Sequence, residues 1–228
     1  MSDGADAASG GDQLAADLRG FGPLGVIAII GIIAGNVLFI PLSALLVLAW
    51  AKRSHTPWRE IGYSRPGSWV VTIGGGILFG IAFKLFMKAV VMPLLGADPI
   101  NHAYHYLAGN FGILPRVFFM LVVGAGFGEE TVFRGYMFER LGKLVGTSPA
   151  AKSAIVVVTA IWFGLDHYSM QGLAGAEQAT IVGLVFGTIY AIRQRIWGLM
   201  VAHASFDLTA LAIIYWNLES EVAHVFFS

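Results

Sequence analysis

Along most of its length the chain runs in long apolar stretches separated by short polar ones. Residues 24–50, 68–93, 115–138, 153–168, 180–192 and 196–216 are dominated by Leu, Ile, Val, Phe, Ala and Gly. A helix that crosses a bilayer needs about 20 such residues, whereas a barrel strand shows roughly ten in alternation. Backbone polar groups inside lipid must be paired internally, which leaves helices. The pattern therefore predicts an all-α, polytopic membrane helix bundle of about six spans, within a range of six to eight. The stretches 153–168 and 180–192 are short for a span and admit a re-entrant reading. The opening segment, MSDGADAASGGDQLAADLRG, is small and acidic. It lacks the basic start and apolar core of a signal peptide and reads as a disordered tail over residues 1–23. Residues 24–228 read as a single membrane domain, with a functional core at about 115–210.

Composition agrees. Of 228 residues, 57% are hydrophobic and only 12% charged, against about a quarter charged in soluble domains. There is no cysteine, which excludes disulfides and thiolate chemistry. Net charge is zero and no basic run occurs, so nucleic acid is not an expected partner. Cytoplasmic loops keep Lys and Arg. Lys52, Arg53, Arg59 and Arg65 share one side of the six-span scheme with Arg134, Arg140, Lys143, Lys152, Arg193 and Arg195. Only Arg19 and Arg116 fall opposite. This places both termini outside the cytoplasm, in what reads as a bacterial cytoplasmic membrane.

Charge matters most where it is scarce. The stretch GFGEETVFRG (126–135) sets Glu129, Glu130 and Arg134 inside an otherwise apolar helix. The apolar run 117–127 covers only about 16 Å of a core roughly 30 Å thick, so the span must carry the glutamates into the membrane. Glu130 and Arg134, four residues apart, share a face and can pair. Glu129 points about 100° away and is left free. Snorkelling interfacial charges are the plain alternative. Two further polar islands weigh against that alternative. FGLDH (163–167) places Asp166 and His167 at the end of one helix, and HASFD (203–207) sets His203 and Asp207 one turn apart on another. A lone histidine within a membrane usually bonds a neighbouring helix. One Glu and two His on three helices suit the activation of water, with or without a metal. The three should meet in an intramembrane polar cavity. The lysine and arginine distribution puts Glu129 nearer the inner face, so that cavity is expected to open to the cytoplasm.

Lesser features have plainer readings. Lys88 snorkels, while Lys84 lies deeper and wants a carboxylate partner. His102 and His105 read as surface histidines, with a metal pair as the alternative. Gly74, Gly75 and Gly76 mark a close helix approach.

In order, GEETVFRG, FGLDH and HASFD fit the patterns EExxxR, FxxxH and Hxxx(N/D). The chain thereby resembles the CAAX prenyl protease and bacteriocin-processing family, also called the Abi family, of intramembrane proteases. WREIGYSRPG (58–67) resembles the loop that precedes that family's core, so the likeness covers about residues 58–210. It implies that Glu129 activates water, His167 helps to hold that water or a metal, and His203 and Asp207 stabilise the oxyanion. Glu130 and Arg134 support the site. It also implies a peptide or protein substrate, lipidated or membrane-associated, and either no cofactor or a zinc ion held by Glu129, His167, His203 and Asp207. Asp207 stands where the family often has Asn, and an ionised Asp accepts hydrogen bonds but cannot donate them. The alternatives are a non-catalytic binding, immunity or scaffold protein of the same fold, and a proton-coupled transporter. The chain contains neither HExxH nor Gly-x-Ser-Gly.

Overall fold

The computed structural model describes residues 3–227. Eight helices follow in order: α1 (Asp3–Arg19), α2 (Pro23–Leu38), α3 (Ile40–Arg53), α4 (Trp69–Leu94), α5 (Phe111–Val145), α6 (Pro149–Arg193), α7 (Trp197–Tyr215) and α8 (Glu219–Ala223). No strand occurs among the described residues. Helices α4, α5, α6 and α7 are each long and apolar enough to cross a membrane.

Helix α6 is two helices in one. Gly172, at φ 65° and ψ −161°, breaks it. A Cβ on Gly183 would sit 2.9 Å from Ala160 Cα, and one on Gly187 would sit 3.3 Å from Val156. The arms 149–171 and 173–193 therefore run antiparallel. Ser148 caps the first arm, accepting from Ala151 N at 3.2 Å, and Pro149 follows at the first helical turn. At 1.5 Å per residue the arms are about 34 and 31 Å long, enough for each to cross. The two stretches that looked short are a full helical hairpin.

The expected span at 24–50 is different. Pro41 cannot donate an N–H to a continuing helix and clashes with the carbonyl four residues back. The chain turns at Phe39, which is extended (φ −165°, ψ 105°). Helices α2 and α3 then fold onto each other, and Ser43 Oγ donates to Ile32 O at 2.7 Å. They have 16 and 14 residues, about 24 and 21 Å each, and so form a re-entrant hairpin rather than a span. The segment read as a disordered tail contains helix α1, rich in alanine, a strong helix former. Its end is tied down: Ala15 is buried and Leu18 O accepts from Trp50 Nε1 at 2.9 Å.

These contacts define two faces. Arg19 pairs with Glu60 at 2.5 Å, and Arg140 Nη1 donates to Arg19 O at 2.9 Å. Gly62, at φ 82°, packs against Tyr190 and Ile196, and its carbonyl accepts from Ile196 N at 3.0 Å. Arg19, the 54–68 loop, the end of α5 and the α6–α7 junction thus share one basic face. At the other end Gly109 N bonds Tyr215 O at 3.0 Å, and Glu219 accepts from Asn101 N at 2.7 Å. Arg19 therefore lies on the basic side, not opposite it. Arg19 and Tyr215 thus lie at opposite ends of the helix bundle.

Helices α4 and α7 run parallel and nearly touch through Gly76 and Gly80, a Gly-x-x-x-Gly pair of the kind that lets membrane helices approach closely. A Cβ on Gly80 would collide with the Ala202 carbonyl oxygen, whereas Gly74 and Gly75 face open space. Of the three expected glycines only Gly76 serves this approach. Gly126 of α5 packs in the same way against Met200 O and Ala204 of α7.

Two predictions follow from this packing. Gly80→Leu lowers the melting temperature in detergent and the folded yield, because overpacking costs about 1–3 kcal/mol or more. Gly74→Leu leaves both near wild type, and equal melting of the two variants would overturn the α4–α7 packing. Separately, single cysteines introduced at Asp17, Gly67 and Ser220 respond to a membrane-impermeant thiol reagent from two sides. Asp17 and Gly67 label together and Ser220 labels from the other side. Labelling of Asp17 together with Ser220 would refute the re-entrant hairpin.

Candidate functional site

The EExxxR motif lies on an unusual piece of backbone. Helix α5 begins as α-helix (Leu114–Phe119), widens into a π-helix over Met120–Tyr136, and returns to α-helix (Met137–Val145). Such i→i+5 winding is rare and is often found at functional sites. Glu129, Glu130 and Arg134 all lie in it and all are buried.

Glu130 and Arg134 form the expected pair, with Nη1 donating to Oε1 at 3.0 Å. The same Oε1 also accepts from His203 Nδ1 at 2.6 Å. Arg134, Glu130 and His203 are thus one chain across α5 and α7. The guanidinium lies 4.9 Å from the Phe163 ring centre and 5.6 Å from that of Phe186, which encloses the charge in aromatic faces. Glu130 and Arg134 do not line the cavity described below.

With Nδ1 fixed by Glu130, the other ring nitrogen of His203 faces the cavity. Its Nε2 lies 3.6 Å from Glu129 Oε2 and 3.7 Å from Asp207 Oδ2. Both separations are longer than a hydrogen bond. Glu129 Oε2 is buried and takes no hydrogen bond from the protein. His167, on the first arm of α6, turns Nδ1 to the Phe163 carbonyl at 2.8 Å, which leaves its Nε2 free. The Phe163 ring packs 4.6 Å from the His167 ring and 5.9 Å from the His203 ring. This shows why the motif carries a phenylalanine one turn before its histidine.

Glu129, His167, His203 and Asp207 line one cavity of about 540 Å³, within the size range of ligand sites. Asp166, by contrast, lies outside it and faces Asn36 at 3.4 Å. The other walls include Lys84, Tyr104, Arg116, Met120, Gln171 and Phe206. Lys84 stood out in the sequence as a deep lysine wanting a carboxylate, whereas Tyr104 and Gln171 carried no signal beyond being polar near apolar helices. Burial raises the Tyr104 hydroxyl above its ordinary range, so it remains a donor at neutral pH. His102 and His105 instead bond Asp98 and Glu219, at 3.0 and 3.1 Å, and form no metal pair.

The lining reaches Asn101, Tyr106, Leu107 and Ile113, in the segment opposite the basic face. The cavity therefore leads away from the lysines and arginines. With the basic face taken as cytoplasmic, this lining runs against the expectation of a cytoplasmic opening. The re-entrant α2–α3 turn reaches the site from beside, with Ile40 on the cavity wall next to Gly128.

A zinc ion needs nitrogen and oxygen donors converging at about 2.0–2.2 Å. His203 Nδ1 is occupied by Glu130, while Nε2 lies 3.6 and 3.7 Å from the Glu129 and Asp207 carboxylates, near the roughly 3.4 Å between ligands that such bonds give in a tetrahedron. Among the described residues no three His, Asp or Glu side chains form a metal-holding group. His203 Nε2, Glu129, Asp207 and His167 Nε2 are the donors that would hold a zinc ion here.

Residues 111–209 match the family model described as type II CAAX prenyl endopeptidase Rce1-like. The matched segment contains all three motifs, so the resemblance read from them holds over that stretch. No curated protein and no solved structure matches.

Removing Arg134 strands the Glu130 carboxylate in an apolar interior, and breaking a buried pair in this way costs about 3–5 kcal/mol. Arg134→Ala should therefore melt far below wild type, while Glu129→Gln, which breaks no hydrogen bond, should melt beside it. A normally folded Arg134→Ala that loses only turnover would show that the pair is not structural.

Proposed function

We propose, from a segment 111–209 that is of the Rce1-like family, that the chain is an intramembrane endopeptidase using water activated by Glu129. The observation that carries this reading is the Glu129 carboxylate. It is buried, its Oε2 has no protein partner, and it shares a cavity wall with two histidines and an aspartate. Such residues are costly in lipid and mark functional sites.

The chemistry follows from which atoms are free. Glu129 Oε2 takes a proton from water as the water oxygen bonds to the scissile carbonyl carbon. His167, with Nε2 free, positions that water. Charge develops on the carbonyl oxygen beside His203 Nε2. Because His203 Nδ1 already donates to Glu130, Nε2 donates only when the ring is the imidazolium. Glu130, shared with Arg134, balances that charge. On collapse the C–N bond breaks, and the protonated Glu129 returns its proton to the leaving amine. The substrate is a peptide or protein segment that reaches the membrane. A prenylated CAAX peptide is the class the family name supplies, and the largely apolar lining by Met120, Leu121, Val182 and Leu211 suits it. No step is routed through a metal.

The test uses the purified full chain in lipid nanodiscs with a quenched, farnesylated CAAX peptide. Glu129→Gln keeps the shape and removes the proton acceptor, so turnover falls by about 10² or more. A chelator leaves wild-type turnover unchanged. Near-normal cleavage by Glu129→Gln would remove the base from the mechanism, and inhibition by the chelator restored by zinc would replace it with a metal one.

A further inference from the structure

Lys84 lies in the middle of apolar helix α4 and is buried. Its ammonium donates to Gln178 Oε1 at 2.9 Å and lies 4.8 Å from the Phe206 ring centre. Those are its polar and aromatic contacts; no carboxylate is in ion-pair contact with it among the described residues. Lys88, one turn on, is accounted for differently: it bonds the Pro99 carbonyl and lies 4.0 Å from Glu219. An ammonium has three donors, and burying one with donors to spare is costly. The parallel α4–α7 contact explains where those donors face. Gly76 meets Gly198 and Val201, Gly80 meets Ala202 and Ser205, and one turn later Lys84 comes beside Phe206, the residue before Asp207. Lys84 lines the same cavity as Glu129, His203 and Asp207.

Charge balance points the same way. Glu130 is neutralised by Arg134, which leaves Glu129 and Asp207 facing the cavity. Beside the His203 imidazolium, Lys84 and Arg116 are the cations that line the same cavity, and Lys84 is the one in the middle of an apolar helix. An ionised Asp207 accepts hydrogen bonds and cannot donate to a developing oxyanion, whereas an ammonium can.

We propose that Lys84 is a further residue of the reaction: balanced across the cavity by an ionised Asp207, it donates an N–H to the scissile carbonyl oxygen together with His203. This rests on the hydrolytic reading above. Proton bookkeeping is unchanged, because Lys84 only donates hydrogen bonds and Glu129 still carries the transferred proton.

The experiment is a double-mutant series on the full chain in nanodiscs. It uses the same farnesylated peptide at neutral pH, where the lysine is an ammonium. Lys84→Met is apolar and of similar length, so it melts at or above wild type. Its kcat falls by about 10²–10³, the loss expected for an oxyanion donor, with KM little changed. Asp207→Asn removes the charge opposite Lys84 and supplies an amide donor, so its own turnover is the reference against which the double variant is read. The Lys84→Met/Asp207→Asn double variant therefore recovers most of what Lys84→Met alone loses. A purely structural lysine would show no such rescue. Lys84→Met turnover within about tenfold of wild type, or an equal loss in both Asp207 backgrounds, would overturn the proposal. Lys84→Gln, which keeps a donor without the charge, falls between Lys84→Met and wild type; if it equals Lys84→Met, donation is not the role. Glu129→Gln run alongside separates the two claims: if it is inactive while Lys84→Met is active, only the lysine fails, and if it is active the protease reading itself fails.

Discussion

The arrangement depends on burying Glu130 in an apolar helix bundle. A carboxylate there is tolerable only if its charge and lone pairs are met. Arg134 meets the charge at Oε1 from one turn away on the same helix, and His203 donates to the same Oε1 from a different helix, while Oε2 takes no hydrogen bond from the protein. Fixing the histidine is a consequence of solving that burial. With Nδ1 held, Nε2 must face the cavity, between the two carboxylates that do not support the fold. Stability and chemistry are therefore divided between neighbouring residues: Glu130 is held at one oxygen from two helices, away from the cavity, and Glu129 lines the cavity with no hydrogen bond from the protein at Oε2.

That chain of contacts needs helices α4, α5 and α7 at very short separation. Small residues make it possible. Gly80 lies against the Ala202 backbone, one residue before His203, and Gly126 lies against Met200 and Ala204. In lipid, helix association gains little from excluding apolar surface, so close van der Waals contact carries it. The same glycines that let the bundle assemble thus set the height of His203 relative to Glu130, and of Lys84 relative to Asp207.

The site is asymmetric across the molecule. The basic face is tied together by Arg19, Glu60, Arg140 and Lys143. The opposite face consists of the 95–113 segment and the end of α7, fastened by Glu219 to Asn101 and His105. The cavity lies toward this second face. The re-entrant α2–α3 hairpin closes one flank beside Gly128, so one wall of the site is built by helices that do not cross the bundle.

The all-helical character, the extents of α4 and α7, and the Glu130–Arg134 pair were legible in the sequence, whereas α5 runs on to Val145, past the expected end at 138. Each depends on local pattern: apolar run length, or a four-residue spacing on one helix. The three motifs also marked Glu129, His167, His203 and Asp207 as residues that line one cavity. Sequence left undecided what depends on contacts between distant segments. Pro41 was a visible signal, yet only packing of α3 onto α2 showed that the chain turns back rather than kinks. Arg19 was assigned to the wrong face because its side depends on that turn. Glu130 was legible as the partner of Arg134 but not of His203, 73 positions away, and nothing local to Lys84 revealed that parallel packing carries it to Asp207. Short-range periodicity determines which residues share a helix face. Only the tertiary fold decides which face meets which, and here that decides which carboxylate is free to react.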